Sequence, residues 1–337
     1  MKTSISYSLL AAAMVCGFAH GQTTAYTTPV GYTTQPIPAG PNKFTYLALT
    51  VNQPVVSAGV LDAVTAAPNT VTDTGVDFNS LLTVGATYIL ELNDGTIQEI
   101  TSWTALGVLN TPENLTSKVT AGVTTYKLRR ASTVSDVFGA TNSAGLTPDD
   151  DFNVVTNNDV IFILDNAGNP TQVVFNPEGE VPAGWYTAAG DPAGNLPIVY
   201  ADGFYIRRAA GSLINLVTSG EVKTKLTSGV LLSNFNYLSS VAPVGLTFGT
   251  SGLQNFITQA TNGDPFSAPY VDNVLIPTPT GFLTVYYSDG TGEAAAGWYT
   301  AADDDATNIV LEGSFLIRNR GAAKPYKINV PASFSGF

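Results

Sequence analysis

The chain has 337 residues, 44% hydrophobic and only 12% charged, with 32 Gly and 20 Pro. Its only Cys, only His and both Met are Cys16, His20, Met1 and Met14, all within the first 21 residues. Lys2, the apolar run from Leu9 to Val15, and the small residues Ala19 and Gly21 read as a secretion signal over residues 1–21, cleaved before Gln22. The exported chain then holds no sulfur and no imidazole. That excludes Ser-His-Asp and Cys-His nucleophilic systems and leaves zinc only carboxylates.

Loss of Lys2 lowers the 14 basic residues to 13 against 26 acidic ones, a net charge of −13. Such a surface disfavours nucleic acid, which is held by phosphate neutralisation, and anionic membranes. It is compatible with Ca²⁺, the one cofactor the sequence leaves open. No later run is long and apolar enough for a transmembrane helix. Without Cys there are no disulfides, so stability must come from packing, and sulfur oxidation has no target.

Three segments recur in the same order along the chain. The first is a small-residue signal at Ser57-Ala58-Gly59-Val60, Ser143-Ala144-Gly145-Leu146 and Ser251-Gly252-Leu253. The second is a strand, a turn and a Trp: Tyr88 to Ala105, Val160 to Ala189, and Phe282 to Ala302. The third is a strand with basic residues, ending at Arg130, Arg208 and Arg320. Gly95 and Gly290 each stand eight residues before a Trp, which aligns Asn93-Asp94-Gly95 with Ser288-Asp289-Gly290 as hairpin turns. A lead-in, Phe44-Thr45-Tyr46-Leu47 and Phe235-Asn236-Tyr237-Leu238, is shared by the first and third copies, and the middle copy lacks one. Three repeats follow, over 22–134, 135–219 and 220–337.

Thr-, Val-, Tyr- and Phe-rich runs broken by Gly, Pro, Asn and Asp predict an all-β fold. The repeats are expected to form sandwich or barrel-like units with about 15 strands. Short helical turns are expected at Val60–Ala66 and Leu253–Ala260.

The three Trp are Trp103, Trp185 and Trp298, all in the Trp-Thr-Ala or Trp-Tyr-Thr-Ala motif. The six Arg, including Arg129, Arg207 and Arg318, are all in the basic strand. Packing is the favoured reading: each Trp fills a repeat core, and an Arg stacks on it or pairs with a carboxylate. The alternative is three equivalent sites where Trp stacks on a sugar and Arg holds an anionic group.

Asp149-Asp150-Asp151 and Asp303-Asp304-Asp305 are weak Ca²⁺ candidates, through Asp149, Asp151, Asp303 and Asp305. They lack the alternating spacing and downstream Glu of an EF-hand, and read first as solvated turns. A carboxylate pair for glycoside hydrolysis remains conceivable among Glu91, Glu99, Glu293 and Glu312. Repetition of Glu99 and Glu293 points to repeat structure instead, and a non-enzymatic protein is expected. An outer-membrane barrel fits the length, acidity and terminal Phe337, but the frequent Pro and short alternation oppose it.

Pro29-Val30-Gly31-Tyr32, Gly184-Trp185-Tyr186 and Gly203-Phe204-Tyr205-Ile206-Arg207-Arg208 carry a resemblance to a family of uncharacterised exported β-rich bacterial proteins. The resemblance implies export and a β-rich build and supplies no catalytic residues. Ser102 before Trp103 and Thr104 after it depart from the motif. The expectation is an exported structural or adhesive protein of the cell surface or matrix, self-associating or binding surface glycans. The rivals are a carbohydrate-binding module and a membrane pore.

Overall fold

The computed structural model describes residues 29–41, 43–104, 106–149, 157–165, 167–179, 181–209, 211–261, 270–292 and 294–334. The signal at 1–21 lies outside them, as do Asp150, Asp151, Glu293 and Phe337.

Two strands open the fold, β1 (Val30–Ile37) and β2 (Lys43–Ala48). The first repeat supplies β3 (Val55–Val60), β4 (Ala63–Ala66), β5 (Asn69–Thr72), α1 (Phe78–Leu81), β6 (Tyr88–Leu92), β7 (Ile97–Ile100), β8 (Trp103–Thr104), β9 (Val108–Asn110) and β10 (Thr125–Arg130). The middle repeat has β11 (Ser132–Thr133), α2 (Val134–Phe138), β12 (Val160–Leu164), β13 (Pro170–Asn176), β14 (Gly184–Thr187), β15 (Pro197–Ile198), β16 (Gly203–Arg208) and β17 (Ile214–Glu221). The third has β18 (Thr227–Leu231), β19 (Asn234–Ser239), α3 (Phe248–Ser251), β20 (Asn273–Thr278), β21 (Gly281–Ser288), β22 (Gly297–Thr300), β23 (Ser314–Asn319) and β24 (Lys324–Ile328).

The protein is all-β, with antiparallel sheets and three α-helices of four or five residues among the described residues. None of the sheets closes into a barrel. The strands are more numerous and shorter than expected, because Gly, Pro and Asn interrupt them every few residues. The helical turn expected at Val60–Ala66 is instead the end of β3 and a hairpin of β4 with β5. β-branched Val64, Thr65, Thr70 and Val71 suit that pairing. Leu253–Asn255 forms one 3₁₀ turn directly after α3.

The middle and third sheets have the same order, β14-β13-β12-β16-β2 and β22-β21-β20-β23-β19. In each, the Trp strand lies at one edge, a hairpin comes next, then the basic strand, then the lead-in. The lead-in Phe44–Leu47 therefore belongs to the middle sheet, where β2 pairs with β16 over Gly203–Arg208. Likewise β1 pairs with β17, as β18 pairs with β24. Residues 49–131 stand between β2 and β11, whereas only residues 240–246 stand between β19 and Thr247. Strand pairing is non-local, so a contiguous reading of the chain gave this lead-in to the wrong sheet.

The turn alignment also shifts. Asn93-Asp94-Gly95 joins β6 to β7, whereas Ser288-Asp289-Gly290 lies between β21 and the Trp strand β22, one connection later. By sheet position, β6 corresponds to β12 and β20. The equal spacing to Trp arises because β7 and β8 are short and only Thr101 and Ser102 join them.

One apolar core serves both the middle and third units, with Phe138, Trp185, Phe204, Phe248, Trp298 and Phe315 among its members. The first repeat has its own core around Leu61, Phe78, Leu90, Ile100 and Leu128. Each fully buried side chain of this size contributes roughly 1.5–3 kcal/mol.

Candidate functional site

The repeated Trp motif has two fates. Trp185 and Trp298 are 3% and 2% exposed and sit in the shared core. Trp185 Nε1 donates to Gly139 O at 2.8 Å, and its ring packs on Phe138 and Phe175. Trp298 packs on Phe248 and Tyr287. The following tyrosine clips each turn: Tyr186 Oη donates to Pro182 O at 3.0 Å and Tyr299 Oη to Ala295 O at 3.2 Å. Trp103 has no such tyrosine. It is half-buried and meets Tyr88 edge-on at 5.6 Å. A ring sealed in a core offers no face to a sugar, so Trp185 and Trp298 act through packing.

The Arg positions divide similarly. Arg129 is buried, donates to Gln53 O at 2.7 Å and pairs with Glu221, with Glu91 at 4.0 Å. Glu91 also pairs with Lys223 and accepts from Tyr200 Oη at 3.3 Å. This buried cluster joins β6 and β10 to the end of β17 and to Lys223 just beyond it, balancing two carboxylates with two cations. Burial lowers the Lys223 pKa and raises that of Tyr200 well above its usual value. Arg208 forms a sealed pair with Asp159 at 2.9 Å. Arg318 lies over the Phe235 ring at 5.3 Å rather than over an indole. Arg207 is half-buried on the outer face of β16.

The acidic candidates are engaged locally. Asp149 is buried and accepts from Asn158 Nδ2 at 2.8 Å. Asp303, Asp304 and Asp305 occupy an exposed turn, with Asp303 in the left-handed region at φ 71°. Asp305 Oδ1 accepts from Thr307 N at 2.9 Å, and that backbone bond is the main cause of its lowered pKa. Among the described residues, no three Asp, Glu, His or Cys side chains converge where they could hold a metal ion.

Of the glycosidase candidates, Glu91 is held inside the ion cluster and Glu312 is exposed. Glu99 lines a groove of about 470 Å³ where the three repeats meet, and a smaller cavity of about 160 Å³ beside it. Asp202 lines both cavities as well. Burial first, and the nearby Glu99 second, raise the Asp202 pKa to about 7. Sequence reasoning missed Asp202, because it stands more than a hundred residues from Glu99 in no motif.

An aromatic face lies on the outer side of the sheets. Register places Phe162 opposite Tyr205, and Tyr205 opposite Tyr46, across β12, β16 and β2. Strand alternation turns these residues outward while Phe204, Ile206 and Leu47 enter the core. Where the third sheet meets β2, β19 adds Tyr237. Phe162 stacks on Tyr205 at 4.6 Å, Tyr205 on Tyr237 at 5.5 Å, and Tyr237 on Tyr46 at 6.0 Å. Phe282 lies 5.2 Å from Tyr46 and Phe44 lies 5.9 Å from Tyr205. Phe44, Phe235 and Phe282 are 49%, 43% and 41% exposed. None of the three Tyr hydroxyls bonds to another described residue. Burial raises all three phenol pKa values, Tyr205 to about 12, so they are neutral donors at neutral pH. The signal was present in the sequence as Phe-x-Tyr in both lead-ins.

No protein-family model matches the chain, and no curated protein or solved structure matches it.

Proposed function

We propose that this is a non-enzymatic, exported protein of the cell surface or extracellular matrix, with a structural or adhesive role. The observation that supports it is the aromatic face. Three half-exposed Phe and three Tyr rings gathered on one side of two packed sheets form the kind of contiguous apolar patch that marks a contact surface. By contrast, Trp185 and Trp298 are packed in the core, and Arg129 and Arg208 are held in buried pairs.

The free phenol hydroxyls favour carbohydrate as one partner class, since a stacked ring and a hydrogen-bond donor suit a sugar face and its hydroxyls. This moves the carbohydrate reading from the Trp positions to Phe44, Tyr46, Tyr205, Tyr237 and Phe282. Adhesion to immobilised polysaccharides, scored against a Phe44→Ser/Phe282→Ser variant, tests the role. Retention should fall at least tenfold in the variant, with its melting temperature nearly unchanged and no sugar released in either case. Equal retention by a folded variant would remove the face from the account, and released reducing ends would make the protein an enzyme.

A further inference from the structure

We propose that Tyr46, Tyr205 and Tyr237 form an oxidative cross-linking site, at which peroxide joins Tyr237 to Tyr205 or Tyr46 as a dityrosine. The site goes beyond adhesion and does not depend on it. Its basis is the placement of the rings. Tyr205 and Tyr237 are 5.5 Å apart between centroids with planes 29° apart, and Tyr46 and Tyr237 are 6.0 Å apart with planes at 19°. All three are partly exposed, so an oxidant reaches them. Phe44, Phe162 and Phe282 surround them and cannot couple as phenols.

Composition removes the usual competitors. Beyond His20 the chain contains no Cys, Met or His. Trp185 and Trp298 are sealed in the core. Oxidising equivalents that reach the surface therefore settle on tyrosine, with Trp103 as the half-buried exception. Two phenoxyl radicals held side by side meet at an effective concentration far above that of separate molecules.

The chemistry balances. Each of two phenols gives up one electron and one proton. One hydrogen peroxide accepts both pairs and becomes two waters. The radicals form one carbon–carbon bond between ring carbons ortho to the oxygens. The hydrogens on those carbons then move to the oxygens, restoring both phenols. The protein loses two hydrogens in all.

The bond would tie β19 of the third unit to β16 or β2 of the middle unit. It would act as a disulfide does, by restricting the unfolded chain, in a protein that has none. The full chain, dilute, is treated with a haem peroxidase and hydrogen peroxide, then examined by intact mass and peptide mapping. The expected product is a monomer lighter by two hydrogens, linked from Tyr237 to Tyr205 or Tyr46 and not between Tyr46 and Tyr205, whose planes are tilted by 43°, with a raised melting temperature. Tyr237→Phe, which keeps the ring, should lose the link at least tenfold. Tyr32→Phe and Tyr270→Phe, at strongly exposed positions outside the cluster, should keep it. Links formed chiefly through Tyr32 or Tyr270, or an undiminished link in folded Tyr237→Phe, would overturn the proposal.

Discussion

The first repeat and the two later ones start from similar sequence and end in different structures. In the middle and third units the Trp strand is hydrogen-bonded to its sheet as an outer strand, Phe175 opposite Trp185 and Tyr287 opposite Trp298. In the first, β8 leaves the main sheet and pairs with β9 in a second small sheet beside β4 and β5. The later units keep Gly before Trp and Tyr after it, and the tyrosine folds back to close the turn. With Ser102 and Thr104 in those places the clip is missing, and Trp103 stays half-exposed. The two-residue difference in the motif thus accompanies the difference between a strand that completes a sheet and one that lies in another.

The two later units also match in detail that no motif showed. Thr147 N and Ala209 N bond to Asp159, as Thr258 N and Arg320 N bond to Asp272, all at 2.7–2.8 Å. Yet the counter-charge differs. Asp159 faces the fully buried Arg208, while Asn319 occupies the equivalent strand position in the third unit and Asp272 pairs with the more exposed Lys324.

This asymmetry gives the largest expected effect. Asp159→Ala leaves a buried guanidinium without its carboxylate and should cost about 3–5 kcal/mol in denaturant titration. Asp272→Ala should cost about half as much, because Lys324 can turn to water. Equal losses would mean that the backbone bonds, and not the ion pairs, carry the stability.

The Trp residues rank next. Trp185→Ala and Trp298→Ala should each cost about 3–5 kcal/mol, and Trp103→Ala about 1–2 kcal/mol, since its burial is partial. A first-repeat loss as large as the others would place Trp103 in a working core after all.

A smaller effect concerns pH. The Asp202 pKa is raised in the folded protein above its unfolded value, so the fold holds a proton that the unfolded chain releases. Its stabilising effect is complete below about pH 4 and is lost as pH rises through about 7. The carboxyl keeps some solvent contact, so the loss is on the order of 2 kcal/mol. Asp202→Asn should flatten the wild-type decline in melting temperature between pH 4 and 8, and an unchanged slope would assign it to other groups.

The β class was legible because alternation in Gly203–Arg208 and in the lead-ins is a local property of the chain. Sheet membership was not legible, because β2 and β16 pair across a long stretch of chain. Nor was the Glu99–Asp202 pair, made by strand β7 and the turn before β16, which are far apart in the chain. The aromatic face was half legible: Phe44, Tyr46, Phe235 and Tyr237 were aligned as a repeated pattern, but only the meeting of β2 with β19 made them one surface.

Excision of residues 54–131 tests most directly whether the sheet of β2 and β16 stands without them. Gln53 Nε2 donates to Ser132 Oγ at 3.3 Å, so the two ends of that stretch lie side by side. Residues 54–131 are removed, a short Gly-Ser link joins Gln53 to Ser132, and Lys223→Met replaces the cation left without Glu91. Hydrogen exchange is then followed on β2, β16, β19 and β23. Slow exchange throughout these strands, at some cost in overall stability, is the predicted result. Loss of protection in β2 and β16 while β19 and β23 stay protected would contradict the account, because the middle sheet would then depend on the residues removed.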